Sequence, residues 1–143
     1  GDLALAMDLL ERMAKNEADF TLTFRYLANV VGDPSGDAPL PQSQFNTPGD
    51  FDEWAELWRA RLADEGVSDK DIRARLLAAN PAVIARNHLV EAVIRAAEDN
   101  GDFKPFSDLL AVIVKPYDDL PENSPYTQPP ESHQVVHQTF CGT

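Results

Sequence analysis

Few residues of this chain are equipped for covalent or coordination chemistry. The single cysteine, Cys141, stands in Thr139-Phe140-Cys141-Gly142-Thr143. A thiol in a tail that no core encloses is a candidate for oxidation, although no Lys or Arg beside it lowers its pKa. One cysteine excludes an internal disulfide and a multi-thiolate zinc site. His133 and His137 are four apart, as two zinc ligands on one helical turn would be. The stretch reads His133-Gln134-Val135-Val136-His137, without the glutamate of H-E-x-x-H, so no metal site is expected. Arg86 and Asn87 fall, on a helical period, near Val83, Val90, Val93 and Ile94, the side that should face a core, and buried polar groups need partners. The structural expectation is a helix joint. Arg86 reaches a carboxylate, and Asn87 bonds the end of the preceding helix at Asn80-Pro81. The alternative is a ligand-facing pair, but no glycine-rich loop lies nearby to cradle a phosphate. His88 is expected to be solvated. No serine or cysteine has a base and an orienting group at a known spacing, and no Walker loop, dinucleotide fingerprint or kinase catalytic loop occurs.

The elements that would position these residues read as helices. Leu3, Ala6, Met7, Leu10 and Met13 follow Asp2, an expected N-cap, to about Asn16. Phe20, Phe24, Leu27 and Val31 follow Asp19, and Gly32-Asp33-Pro34 ends that run. Residues 33–47 read as a surface loop pinned by Leu40 and Phe45. Thr47-Pro48-Gly49-Asp50 is a capping-box variant opening a third helix with the stripe Phe51, Trp54, Ala55, Trp58, Leu62 and a stop at Gly66. The two tryptophans are expected in the core. Ser68 caps a fourth helix, which Asn80-Pro81 closes, and Pro81 opens a fifth running to Asn100-Gly101, with Glu91 and Arg95 paired on its polar face. Asp102 caps a sixth with Phe103, Phe106, Leu110 and Ile113 on its buried side, and Pro116 stops it. Beyond Lys115, five prolines break any apolar period, with Tyr117, Tyr126 and Phe140 as possible anchors. The expected fold class is all-α: about six helices in a compact orthogonal array over residues 1–114, plus an extended Pro-rich tail over 115–143.

The formal net charge of −12 repels phosphate backbones and anionic lipid, so neither nucleic acid nor membrane is an expected partner. Arg59, Arg61, Arg73 and Arg75 sit among carboxylates and read as an ion-paired helix face. No run of 18 or more apolar residues occurs, and the lone cysteine suits a reducing compartment, so the expected localisation is cytoplasmic. The opening at Gly1 suggests a piece of a longer polypeptide.

Several stretches, in order along the chain, resemble the C-terminal region of the selenoprotein O (YdiU-type) family. Asp19-Phe20-Thr21-Leu22-Thr23-Phe24-Arg25-Tyr26-Leu27 is similar to D-[YF]-T-x-x-F-R-x-L, and Phe51, Trp54, Trp58 and Arg59 match more loosely. Asn80-Pro81 followed by Arg86-Asn87-His88-Leu89 is similar to N-P-x-x-x-x-R-N-x-L. Ala97, Gly101-Asp102-Phe103, Leu109-Leu110 and Pro116-Tyr117 resemble A-x-x-x-G-D-[YF]-x-x-[LF]-x-x-L-L and N-P-[YF], with Lys115 where the family has Asn. Tyr126 with Pro129-Pro130 resembles Y-x-x-P-P, and Cys141 falls where members carry cysteine or selenocysteine, before Gly142-Thr143 in place of two serines.

The resemblance implies a pseudokinase parent that binds ATP with Mg or Mn in a flipped orientation and transfers AMP to protein hydroxyls. The family's nucleotide-binding, metal-binding and catalytic residues lie upstream of the matched region, so no catalytic residue and no cofactor is expected here. Cys141 is implied as a redox residue pairing with a cysteine near the active site. The implied partners are the rest of the kinase-like domain and the parent's protein substrates. On this reading the fragment alone is inactive and should show an unsatisfied apolar face. An autonomous helical interaction module, the alternative, should instead bury its aromatics. A thiol enzyme built on Cys141 would need a second chain.

Overall fold

The computed structural model describes residues 1–32, 37–118 and 125–138. Among them are six α-helices, three short 3-10 turns and no strand: α1 (Asp2–Lys15), α2 (Phe20–Tyr26), α3 (Pro48–Glu65), α4 (Asp69–Ala79), α5 (Asn87–Asn100) and α6 (Lys104–Ile113). The all-α class follows the helical periodicity of the sequence. The packing divides the chain into two units, Gly1–Pro81 and Ala82–Thr143, so the described residues after 114 group with α5 and α6.

The first unit holds α1 to α4 around Leu9, Met13, Leu27, Val30, Phe45, Phe51, Trp54 and Ala55. Its elements start and stop largely where the sequence places caps. The Asp19 carboxylate accepts the Leu22 N–H at 2.8 Å and starts α2, and Ser68 starts α4 by accepting from Asp71. Gly66 ends α3 at φ +64°, a left-handed conformation that glycine adopts without Cβ strain. Two expected caps behave differently. Asp2 is the first residue inside α1 and pairs with Arg61 at 2.7 Å. Thr47 sits at the N-cap of α3 without using its hydroxyl. Phe20, expected on the apolar side of α2, is exposed and packs its ring on Phe24. In the segment before α3, a 3-10 turn, Pro41–Gln44, buries Pro41, and Phe45 is buried beside it.

The second unit departs more from the expected pattern. Pro81 does not open a helix: α5 begins only at Asn87, the N–H groups of Ala82 and Val83 both donate to the Pro116 carbonyl, at 2.7 and 3.3 Å, and the Arg86 N–H donates to the Ile84 carbonyl at 2.9 Å instead of four residues back. The bonds to Pro116 and the burial of Val83 fix this segment, and the Arg86 bond to Ile84 stands where a helical bond to the Ala82 carbonyl would be. Gly101 ends α5 at φ +64°, and the Asp102 carboxylate accepts the Lys104 N–H at the start of α6. The apolar face of α6 is not where the sequence suggests. Leu109 is buried and Ile113 half-buried, whereas Phe103, Phe106 and Leu110 are exposed.

Candidate functional site

In the second unit the chemistry gathers around the segment that precedes α5. Arg86 is its N-cap residue, in an extended conformation, and is buried. Its guanidinium donates to the Thr127 carbonyl at 2.9 Å, and Thr127 is itself buried. Two stretches 41 residues apart are thereby tied, and Thr127 adjoins Tyr126 in the stretch that ends Pro129-Pro130. Asn87 follows as an exposed residue in the first turn of α5.

His88, His133, Glu91, Arg95 and Glu98 line one open groove of about 820 Å³ between α5 and residues 133–138. The sequence places His88 in solvent, but its Nδ1 is buried without a hydrogen-bond partner. Burial, and secondarily the Arg86 cation, hold its pKa below the ordinary histidine value, so the neutral ring is favoured. His133 lies in a 3-10 turn, Ser132–Gln134, 3.4 Å from the Glu131 carboxylate, and His137 lies outside that turn, so the two do not share a helical face. Among the described residues, no group of three or more His, Cys, Asp or Glu could hold a metal ion.

In the first unit, the joint between α1 and α3 is a polar network. The Asn16 side-chain amide donates to the Arg12 carbonyl (2.9 Å) and the Asp50 carboxylate (2.8 Å), while its oxygen accepts the Thr47 N–H at 2.7 Å. Lys15 donates to Asp50 at 2.9 Å, and Arg12 reaches the Asp50 carbonyl and Glu53. The hydrogen bond from Asn16, reinforced by Lys15, holds the Asp50 carboxyl below its ordinary pKa. Nothing in the sequence signals Asn16, because its partners lie 31 and 34 residues away.

Arg25 is also buried, and donates at 2.9 Å to the carbonyls of Leu77 and Asn80. Asn80 folds back so that its backbone N–H and side-chain amide both donate to the Leu76 carbonyl. The last carbonyls of α4 are thus satisfied before Pro81 by Arg25 and Asn80. Trp54 and Trp58 stack at 5.4 Å, with the Trp54 indole N–H donating to the Leu5 carbonyl, beside a small apolar pocket of about 230 Å³. The indoles thus serve the core and its edge.

Of the sequence-derived site residues, Asn80 and Pro81 belong to the first unit and Arg86 and Asn87 to the second, while Cys141 lies outside the described residues. Arg25 and Arg86 work on backbone carbonyls. The carboxylates of the α5 groove would repel a nucleotide's phosphates. The described residues do not fit an ATP–metal site, and no chemical step is derived from them.

The family model described as Protein adenylyltransferase SelO matches residues 2–114. Proteins named "Protein nucleotidyltransferase YdiU" align with the whole chain: 49% identical over 143 residues in Bradyrhizobium sp. (strain ORS 278), 50% over 143 in Bradyrhizobium diazoefficiens and 50% over 149 in Methylorubrum extorquens (strain PA1). The chain spans 29%, 29% and 30% of those relatives' lengths.

Proposed function

Because the chain belongs to the protein adenylyltransferase SelO family, we propose that it is the helical C-terminal part of a pseudokinase that transfers AMP from ATP to Ser, Thr or Tyr hydroxyls of proteins. ATP and Mg or Mn belong on this reading to the rest of the parent polypeptide. The chain's part is to complete the fold and to carry Cys141 toward the catalytic portion. Its oxidation there joins it to a second cysteine of the parent, two thiols giving up two protons and two electrons to hydrogen peroxide, which leaves as two waters, and a thiol reductant reverses the bond. That partner is not among these 143 residues, which hold one cysteine.

The match to the family model over residues 2–114 carries this reading. The ordered series of family-like stretches supports it, and so do the roles of Asp19, Arg25, Asn80 and Arg86 in building the helical body. The alternative, an interaction module complete in itself, predicts buried aromatics, and the exposure of Phe20, Phe103 and Phe106 weighs against it. No helix among the described residues is long and apolar enough to cross a membrane.

The test incubates the full-length polypeptide with labelled ATP, Mg or Mn and candidate acceptor proteins, with and without reductant, beside a Cys141→Ser version. Transfer of AMP whose response to reductant disappears in the variant supports both halves of the reading. A reductant response that survives in Cys141→Ser removes the redox role, and no transfer under any condition removes the enzyme.

A further inference from the structure

Asn100-Gly101 is the chain's only asparagine–glycine pair, and both residues are exposed, at the corner between α5 and α6. Asparagine is a thermally labile residue. The backbone nitrogen of the residue that follows it can attack the side-chain carbonyl carbon and close a five-membered ring. Glycine hinders this least, because no Cβ crowds its nitrogen. Other asparagines are shielded by their surroundings. Asn80 precedes proline, which has no N–H to lose, and the Asn16 amide is buried and held by Asp50. At Asn100 it is the helix end that restrains the reaction. The Gly101 N–H donates to the Ala97 carbonyl and the Asp102 N–H to the Ala96 carbonyl, each at 3.0 Å, with Gly101 at φ +64°. The nucleophilic nitrogen is thus already a hydrogen-bond donor in a left-handed helix end, and it is freed only when the last turn of α5 opens. Asp102 also starts α6, since its carboxylate accepts the Lys104 N–H at 2.9 Å. One corner therefore carries both the labile pair and the joint between two helices that pack on each other.

We propose that Asn100 is a site of spontaneous deamidation, gated by opening of the end of α5, and that its isoaspartyl product breaks the α5–α6 corner. In the open form the Gly101 nitrogen loses its proton to hydroxide and attacks Asn100 Cγ. The new C–N bond closes a succinimide, and the side-chain nitrogen leaves as ammonia with a proton from water. Water then opens the ring at either carbonyl, leaving aspartate or isoaspartate. In sum one water is consumed and one ammonia released, with no oxidant or reductant. Aspartate sets a further carboxylate at the negative end of α5, beside Asp99 and Asp102. Isoaspartate routes the main chain through the side-chain methylene. The backbone is then one atom longer, so the Gly101 and Asp102 N–H groups no longer meet the Ala97 and Ala96 carbonyls together. None of these steps draws on adenylyl transfer or on Cys141.

The test incubates the full-length polypeptide at mildly alkaline pH, folded and in urea. Mass spectrometry follows the peptide that contains residues 100–101, which gains the mass difference between Asn and Asp, and enzymatic methylation counts the isoaspartate. Residue 100 should be converted in urea and at least about tenfold more slowly in the folded protein. Asn100→Gln should abolish the product, since glutamine would have to close a six-membered ring. No conversion of residue 100 in urea, or the same mass gain in Asn100→Gln, overturns the site, and equal rates in folded and unfolded protein overturn the gating. In the purified isoaspartyl form the amides of residues 101–104 should exchange hydrogen at least about tenfold faster than in the unmodified protein. Unchanged exchange there overturns the effect on the corner.

Discussion

Asn16 does for α3 what the Asp50 side chain would do in a capping box: its oxygen accepts the Thr47 N–H. Its side chain is buried, satisfies a backbone N–H at the start of α3, and caps the end of α1 with the same amide that holds Asp50. Asn16→Ala should therefore cost about 1–3 kcal/mol of stability, read as a lower urea midpoint at unchanged m, since it strands several polar groups at once. An unchanged midpoint would contradict the network. The capping signal Thr-Pro-Gly-Asp was legible and the start of α3 followed, but the acceptor for the Thr47 N–H comes from the C-cap of α1. His88 is the second case where a residue's own helix misleads. The periodicity gives it a polar face, whereas residues 133–138 and Arg86 set its surroundings. Its depressed pKa means the unfolded chain takes up a proton near pH 6.5 that the folded chain resists. Stability from this group is present above that pH, is lost as pH falls toward the lower folded value, and then levels off. Between about pH 7.5 and 5.5 the native chain should lose more stability than His88→Gln does, and parallel pH profiles would refute the shift.

At the scale of elements, the starts of α2, α3 and α4 and the glycine stops at Gly66 and Gly101 were readable, because caps, prolines and left-handed glycines act within a turn, whereas α2 ends at Tyr26, short of Gly32, and Phe103, not Asp102, is the N-cap of α6. What local pattern could not reveal is competition from distant groups. Pro81 is well suited to a first helical position, yet residues 82 and 83 are tied to the Pro116 carbonyl, the Arg86 N–H bonds Ile84, and α5 starts six residues later. α6 misled for a different reason, since a stripe of large apolar residues says that a face is covered but not by what. The bond from Arg86 to Thr127 likewise makes the segment before α5 and the turn at 125–127 one structural element. Arg86→Met keeps the apolar stem and removes the buried hydrogen bond to Thr127, at about 1–3 kcal/mol. Proteolysis under native conditions should then cut first within 125–138, while α1 to α4 keep their protection. Loss of protection across the first unit as well would mean that Arg86 supports more than its own unit.

For the whole molecule, the helical class was open to sequence reasoning because four helices share one aromatic-rich core with regular spacing. The family was legible from ordered short stretches, which the structure shows as caps, helix ends and a buried arginine. Catalytic residues were not legible in the sequence. The most direct measurement of this account follows two labels at once, ATP carrying one on its α-phosphate and another on its γ-phosphate, incubated with the full-length polypeptide or with the 143-residue chain. The full-length polypeptide should move only the α-label onto protein hydroxyls, and the chain alone should move neither. Transfer of the γ-label, or of either label by the chain alone, would contradict it.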